Sequence, residues 1–311
     1  MERFSDRKGK YYLVLTAAGA SWGVATVISK QAIAEIPPLV LLSIQLTTSL
    51  LFLGVLVSAR GRQPWTRETI RLGLLGFLNP GLSYALGLIG LTQITASLSV
   101  VLWATEPIMI LLLAAMVLRE KITRSMALAI GVASVGVLLA VGQANTSGTL
   151  VGIGFTLAGV AACAVYTVIT RRWMGENSTL AVITAQQVCA LVFSLSLLGV
   201  PLLRGESFAI SSWSGGAWAS ALVSGVLYYA LAFWLYLTGL RRIPAALAGL
   251  FLNLIPIFGV GAGYLLLGER LSVLQTFGAA LIVGAVGSML WVRARSIPLT
   301  APVPSIIVDN R

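Results

Sequence analysis

The sequence predicts an all-α membrane protein of ten transmembrane helices, arranged as a 5+5 inverted repeat with N- and C-termini cytoplasmic. Three observations carry that expectation. Ten apolar runs are long enough to cross a bilayer, lysine and arginine fall mostly in alternate connections, and a proline–acid motif recurs 149 residues further along the chain.

Composition narrows the class before any element is assigned. Of 311 residues, 58% are hydrophobic and 10% charged, and the mean hydropathy is +0.93. Soluble domains carry about 25% charged residues, so this chain has too few polar groups to coat water-facing globules. It contains no histidine, which excludes His-based triads, His-ligated zinc and imidazole proton shuttles. Two cysteines, Cys163 and Cys189, cannot build a four-thiolate metal site or a disulfide framework, and they read as small apolar residues. No cofactor and no metal is expected. The net charge of +11 would suit nucleic acid, but the cations sit in short connections rather than along a helical face or a long basic tract. The expected partners are the lipid bilayer and a small-molecule substrate, not nucleic acid.

A helix needs ~20 mostly apolar residues to cross about 30 Å of hydrocarbon. The runs that qualify are 11–29, 38–58, 70–91, 95–117, 125–142, 149–170, 180–203, 216–240, 244–267 and 272–292. None alternates as a barrel strand would. The first run lacks a small-x-small cleavage site with a polar chain behind it, so it reads as a span rather than a signal peptide.

The cations give the orientation. Arg3, Arg7, Lys8 and Lys10 precede the first span; Arg60, Arg62, Arg67 and Arg71 join spans two and three; Arg119, Lys121 and Arg124 join four and five. Arg171, Arg172, Arg241 and Arg242 lie in later connections of the same side, with Arg293, Arg295 and Arg311 in the C-terminal segment. The opposite side carries only Lys30, Arg204 and Arg270. Positive charge marks the cytoplasmic side, so localisation in the cell (cytoplasmic or inner) membrane is expected. Trp65, Trp173, Trp213, Trp218 and Trp291 fall at span ends, where an amphipathic ring suits the headgroup layer.

An offset of 149 matches Gly76 to Gly225, Gly90 to Gly239, Leu91 to Leu240, Ile94 to Ile243, Pro107 to Pro256 and Glu120 to Glu269. Nearer the N-terminus the register shifts, and Thr26-Val27-Ile28 resembles Thr167-Val168-Ile169 at an offset of 141. The chain divides into a first five-helix repeat at 1–145, a second at 146–295 and a flexible cytoplasmic tail at 296–311. An odd number of spans per half inverts one half relative to the other, which is a transporter design.

The segment from Val101 to Leu139, through Pro107, Arg119-Glu120-Lys121 and Gly131, resembles the EamA-type module of the drug/metabolite transporter superfamily. So does Phe251 to Leu290, through Pro256, Gly268-Glu269-Arg270-Leu271 and Gly278. The first module departs from the pattern in having no glycine before Glu120. The resemblance implies two EamA-type repeats, an exporter-like ten-helix fold with a central cavity, and substrates among amino acids and other small metabolites.

Nine of the ten acidic residues lie in tails or connections; the tenth, Glu106, falls within the fourth span. A charge at the bilayer centre costs about 2.5–3.5 kcal/mol by insertion scales, so such a residue reads first as functional. It would bind a substrate ammonium group or carry a coupling proton. The structural alternative is a protonated acid bonded to a neighbouring helix beside Pro107. The candidate substrate contacts are Trp22, Asn79, Tyr84, Trp103, Glu106, Tyr166, Tyr229, Phe233 and Asn253, with Pro107 and Pro256 as helix interruptions. Helical spacing places Ser99, Trp103 and Glu106 on one face. Interhelical glue is the plain alternative for each polar stripe. No Lys or Arg lies inside a span, so a phosphate or sulfate would meet no fixed cation, whereas an acid among aromatics suits an ammonium group.

The leading expectation is a secondary transporter, exporting an amine-bearing metabolite such as an amino acid by alternating access, as a monomer or homodimer. A passive facilitator or channel for small neutral or cationic solutes is the main alternative. A membrane-embedded enzyme is more remote, because it lacks a plausible catalytic pair; the protein is not expected to be an enzyme.

Overall fold

The computed structural model describes residues 2–60, 65–118, 124–141, 147–173, 178–205, 208–240 and 251–296, and among these no strand occurs. The connection holding Glu120, the cations Arg241 and Arg242, and the tail from 297 onward lie outside the described residues.

The helices are α1 (Glu2–Ala32), α2 (Pro38–Arg60), α3 (Arg67–Leu74), α4 (Ser83–Gln93), α5 (Ala96–Trp103), α6 (Glu106–Leu118) and α7 (Arg124–Val141). They continue as α8 (Ser147–Trp173), α9 (Thr179–Leu203), α10 (Gly215–Gly225), α11 (Ala232–Leu240), α12 (Leu254–Leu267) and α13 (Val273–Ser296). Six stretches are long and apolar enough to span a membrane: Gly9–Ala32, Pro38–Ala59, Arg67–Gln93, Thr149–Thr170, Thr179–Leu203 and Gly215–Gly239. Four shorter apolar helices accompany them, at Ala96–Ile110, Ala127–Ala140, Leu254–Leu267 and Val273–Ser288. Large apolar side chains such as Leu13, Leu51, Leu128 and Leu265 are exposed on the outer faces, where only a lipid environment leaves them solvated without cost.

Several of the expected continuous helices are broken. A 3-10 turn (Leu75–Phe77) and a π segment (Leu78–Leu82) separate α3 from α4, with Asn79 extended at φ −147°, ψ 121°. A second π segment, Val226–Leu231, separates α10 from α11. The fourth span breaks at Ala104–Thr105, and α12 starts only after a turn at Asn253. Proline explains both later breaks. It has no N–H and its ring clashes with the carbonyl four residues back, here Trp103 for Pro107 and Leu252 for Pro256, so each proline ends up in the first turn of a new helix.

Packing is dense where glycines permit it. α7 and α13 form the most extensive helix pair, and a Cβ on Gly136 would lie 2.7 Å from the Gly278 carbonyl oxygen. By contrast a Cβ on Gly284 would meet open space. Around the centre, α1 packs on α10, α11 and α12, α4 on α8, and α2 on α9 and α10.

Charged side chains tie four corners to a single face. Lys30, near the end of α1, reaches the carbonyls of Leu91 and Ile94 between α4 and α5. Glu269, after α12, accepts from the amides of Ala96 and Ser97. Glu35, after α1, accepts from the amide and hydroxyl of Ser214 ahead of α10. These are the connections in which the sequence carries fewest arginines, so this face is the arginine-poor one.

Candidate functional site

The site forms where the broken helices meet α1 and the second π segment. A narrow void of about 20 Å³ is lined by Thr26 and Ser29 of α1, Tyr84, Gly87, Leu88 and Leu91 of α4, Ser99 and Trp103 of α5, and Tyr228 and Tyr229. Tyr84 stacks on Trp103 at 5.5 Å between ring centroids and meets Tyr228 and Tyr229 edge-on at 5.0 and 5.1 Å. Trp22 extends the aromatic wall through edge contacts to Phe233 at 5.2 Å and Tyr236 at 5.6 Å. Its indole nitrogen is buried with no hydrogen-bond partner. Buried indole N–H groups normally find one, so this donor is available to a ligand.

The π segment explains a residue that sequence spacing missed. Tyr229, Phe233 and Tyr236 share a face at ordinary helical spacing, and Tyr228 does not. An i→i+5 turn inserts one residue and rotates the face, which brings Tyr228 and Tyr229 to the void together. The hydroxyl of Thr26 then lies 3.4 Å from that of Tyr228.

Glu106 departs from the expected stripe. The break at Ala104–Thr105 separates it from Ser99 and Trp103, and α6 packs chiefly on α8. Its carboxylate accepts from the Thr167 hydroxyl at 3.3 Å and the Cys163 thiol at 3.4 Å. An O–H···O bond is ordinarily 2.5–3.0 Å, so the Thr167 bond is long; the thiol is a weak donor, and no cation among the described residues bonds Glu106. Tyr84, Tyr166, Tyr228 and Tyr236 all stand within electrostatic range of it. Cys163, read from sequence as a small apolar residue, is a polar neighbour of the one intramembrane acid.

The remaining candidates separate. Tyr166 donates to the Gln186 side chain at 2.9 Å. Asn79 is buried in the first π segment with its side-chain oxygen unpartnered. Asn253 faces away from the void, its amide nitrogen 3.6 Å from where a Cβ on Gly287 would sit. Around the void a polar frame holds the helices. Gln45 donates to Ser29 at 2.9 Å and Ser224 at 2.7 Å and accepts from Tyr229 at 3.4 Å.

The sequence pattern of the EamA-like transporter family matches this chain twice, over residues 9–142 and 150–291. The chain belongs to the EamA-like transporter family. It is similar to the uncharacterized transporter YetK of Bacillus subtilis, 25% identical over 283 residues, which is 88% of this chain and 85% of that protein. An uncharacterized transporter of Archaeoglobus fulgidus is 24% identical over 92% of this chain and its own full length. A solved crystal structure superposes with a TM-score of 0.63 at 19% identity, over 93% of this chain and 99% of that one. At that identity the likeness shows the fold alone. As an EamA-family member the protein is a multi-pass membrane transporter rather than an enzyme.

Proposed function

We propose that this EamA-family protein is a secondary transporter that exports a small amine-bearing metabolite, an amino acid foremost, from the cell by alternating access. The observation that carries the substrate class is Glu106: an intramembrane carboxylate held by one long hydroxyl bond and one weak thiol donor, with no bonded cation among the described residues, near a chamber walled by Tyr84, Trp103, Tyr228 and Tyr229. A carboxylate left so poorly matched in a low-dielectric site attracts either a proton or an ammonium group. Aromatic faces add cation–π attraction for the second.

The packing supports a design of two inverted repeats. A Cβ on Gly225 would run into the backbone of Gln45, and one on Gly76 into the backbone of Gln186. The glycines are 149 residues apart and the glutamines 141, the two offsets at which the sequence repeats. The two π segments, Leu78–Leu82 and Val226–Leu231, are related by nearly the same shift. Alternating access follows from rocking such halves about a site between them. In the present conformation α5 packs on α12 and α1 at the arginine-poor face, while α6 leans chiefly on α8. That favours a chamber closed on the arginine-poor side, and by the distribution of cations this side is external.

A thermal-shift screen of the purified protein against amino acids, polyamines, sugars and nucleosides tests the substrate class. A ligand bound by the folded state raises the melting point by mass action. Amines and amino acids are expected to stabilise the parent and to lose their effect in Glu106→Gln and Trp103→Ala. Stabilisation by sugars or nucleosides alone would overturn the assignment.

A further inference from the structure

The corner between α4 and α5 is gripped from both sides by opposite charges. α4 ends at Gln93, Ile94 is extended at φ −127°, ψ 164°, and α5 begins after the Thr95 N-cap. On the carboxyl-terminal side of α4, the Lys30 ammonium donates to the carbonyl oxygens of Leu91 at 2.6 Å and Ile94 at 2.8 Å. At the amino terminus of α5, the Glu269 carboxylate accepts from the amides of Ala96 and Ser97, both at 2.8 Å, and from the Ser97 hydroxyl at 2.7 Å. Each charge matches the dipole of the helix end it caps, and the two attract each other across the corner. Glu269 is aimed by its own turn. Gly268 takes a left-handed φ of 67°, and the Glu269 amide donates to the Gly263 carbonyl at 3.1 Å.

The grips lie at the end of the void. Leu91, whose carbonyl Lys30 holds, lines it, as does Ser29 next to Lys30. The Glu269 bonds join the α12–α13 corner of the second matched family segment to the α4–α5 corner of the first, and the Lys30 bonds add α1 to that corner from within the first segment. They run from side chains to helix ends, so a swing of two side chains releases them without unwinding either helix.

We propose that Lys30 and Glu269 form a latch that holds the chamber shut on the arginine-poor face and releases when the chamber opens there. This rests on the alternating-access reading above. It assigns a gating role to the module glutamate at position 269 and to a lysine that the sequence offers only as a topology marker.

The test needs no substrate, so its failure is distinct from failure of the substrate assignment. Ser99→Cys, in a Cys163→Ala/Cys189→Ala background, places a reporter thiol in the void. A membrane-impermeant maleimide is applied from the arginine-poor face of protein in proteoliposomes. Lys30→Met and Glu269→Gln are each expected to raise the labelling rate about tenfold, a population shift within the usual range of conformational coupling. Ala96→Pro serves as the variant that leaves both charges in place. Position 96 is the first residue of α5, where proline is favoured, and Thr95 already has the extended backbone that a following proline requires. It deletes one amide that Glu269 holds and is expected to raise labelling as well. Labelling within twofold of the parent in all three, with or without a lowered melting point, would show a static staple and overturn the latch.

Discussion

In the proposed mechanism Glu106 is the residue on which transport energetics turn. With one long hydroxyl bond, one weak thiol donor and no bonded cation among the described residues, its carboxylate is poorly compensated, and a proton or a cationic substrate would relieve the cost. If it carries the coupling proton, Glu106→Gln abolishes accumulation against a gradient while leaving exchange of substrate between the two sides largely intact. Proteoliposome uptake with a ligand found in the stability screen measures this; unchanged uphill transport removes the role. Gln45 is a residue of a different kind, fully buried and bonded to Ser29 and Ser224. Polar contacts in membranes average about 0.6 kcal/mol each, so Gln45→Leu should destabilise by roughly 1–2 kcal/mol, read from unfolding in mild detergent. Outside the membrane, Glu35 is held below its ordinary value of 4.5 by the backbone amide and then the hydroxyl of Ser214. A depressed carboxylate contributes stability above its unfolded value and loses it as pH falls through the folded one. The Ser214 amide should therefore lose hydrogen-exchange protection as pH falls below the ordinary glutamate range, and Glu35→Gln should remove that pH dependence. At this scale the sequence exposed Glu106, Trp103 and Tyr84 because an acid or amphipathic ring is conspicuous in an apolar run. It hid Tyr228 and Lys30, whose roles depend on a π turn and on the carbonyls of a distant helix end.

At the scale of elements, proline and glycine set where helices break and where they touch. Pro107 and Pro256 were conspicuous in sequence, but the breaks fall before them, at Ala104–Thr105 and Asn253. This displacement removed Glu106 from the face of Ser99 and turned it toward Cys163 and Thr167. A spacing rule assumes an unbroken 3.6-residue helix, and the break ahead of Pro107 removes that assumption for the fourth span. Glycine contacts divide in the same way. Gly278 abuts the backbone around Gly136 and Ala140 on α7, whereas Gly284 faces open space. Gly278→Val should therefore cost about 1–3 kcal/mol by overpacking. Gly284→Ala should be neutral, and thermal denaturation of the pair provides its own control. An equal loss in both would mean that the α7–α13 contact is not as drawn.

For the whole molecule, hydropathy and charge made the architecture legible, because a bilayer leaves few ways to satisfy a backbone. The corners tied by Lys30, Glu35 and Glu269 share one face. The chamber was less legible, since its walls come from α1, α4, α5 and the second π segment, and no local pattern records which side chains meet. The account depends on two halves of opposite orientation around that chamber. Single cysteines in place of Glu120 and Arg270, in a background without Cys163 and Cys189, test this most directly. Labelling in intact cells with a membrane-impermeant maleimide should modify position 270 and spare position 120 until the membrane is permeabilised. Labelling of both positions from the same side would contradict the inverted arrangement and the alternating access built on it.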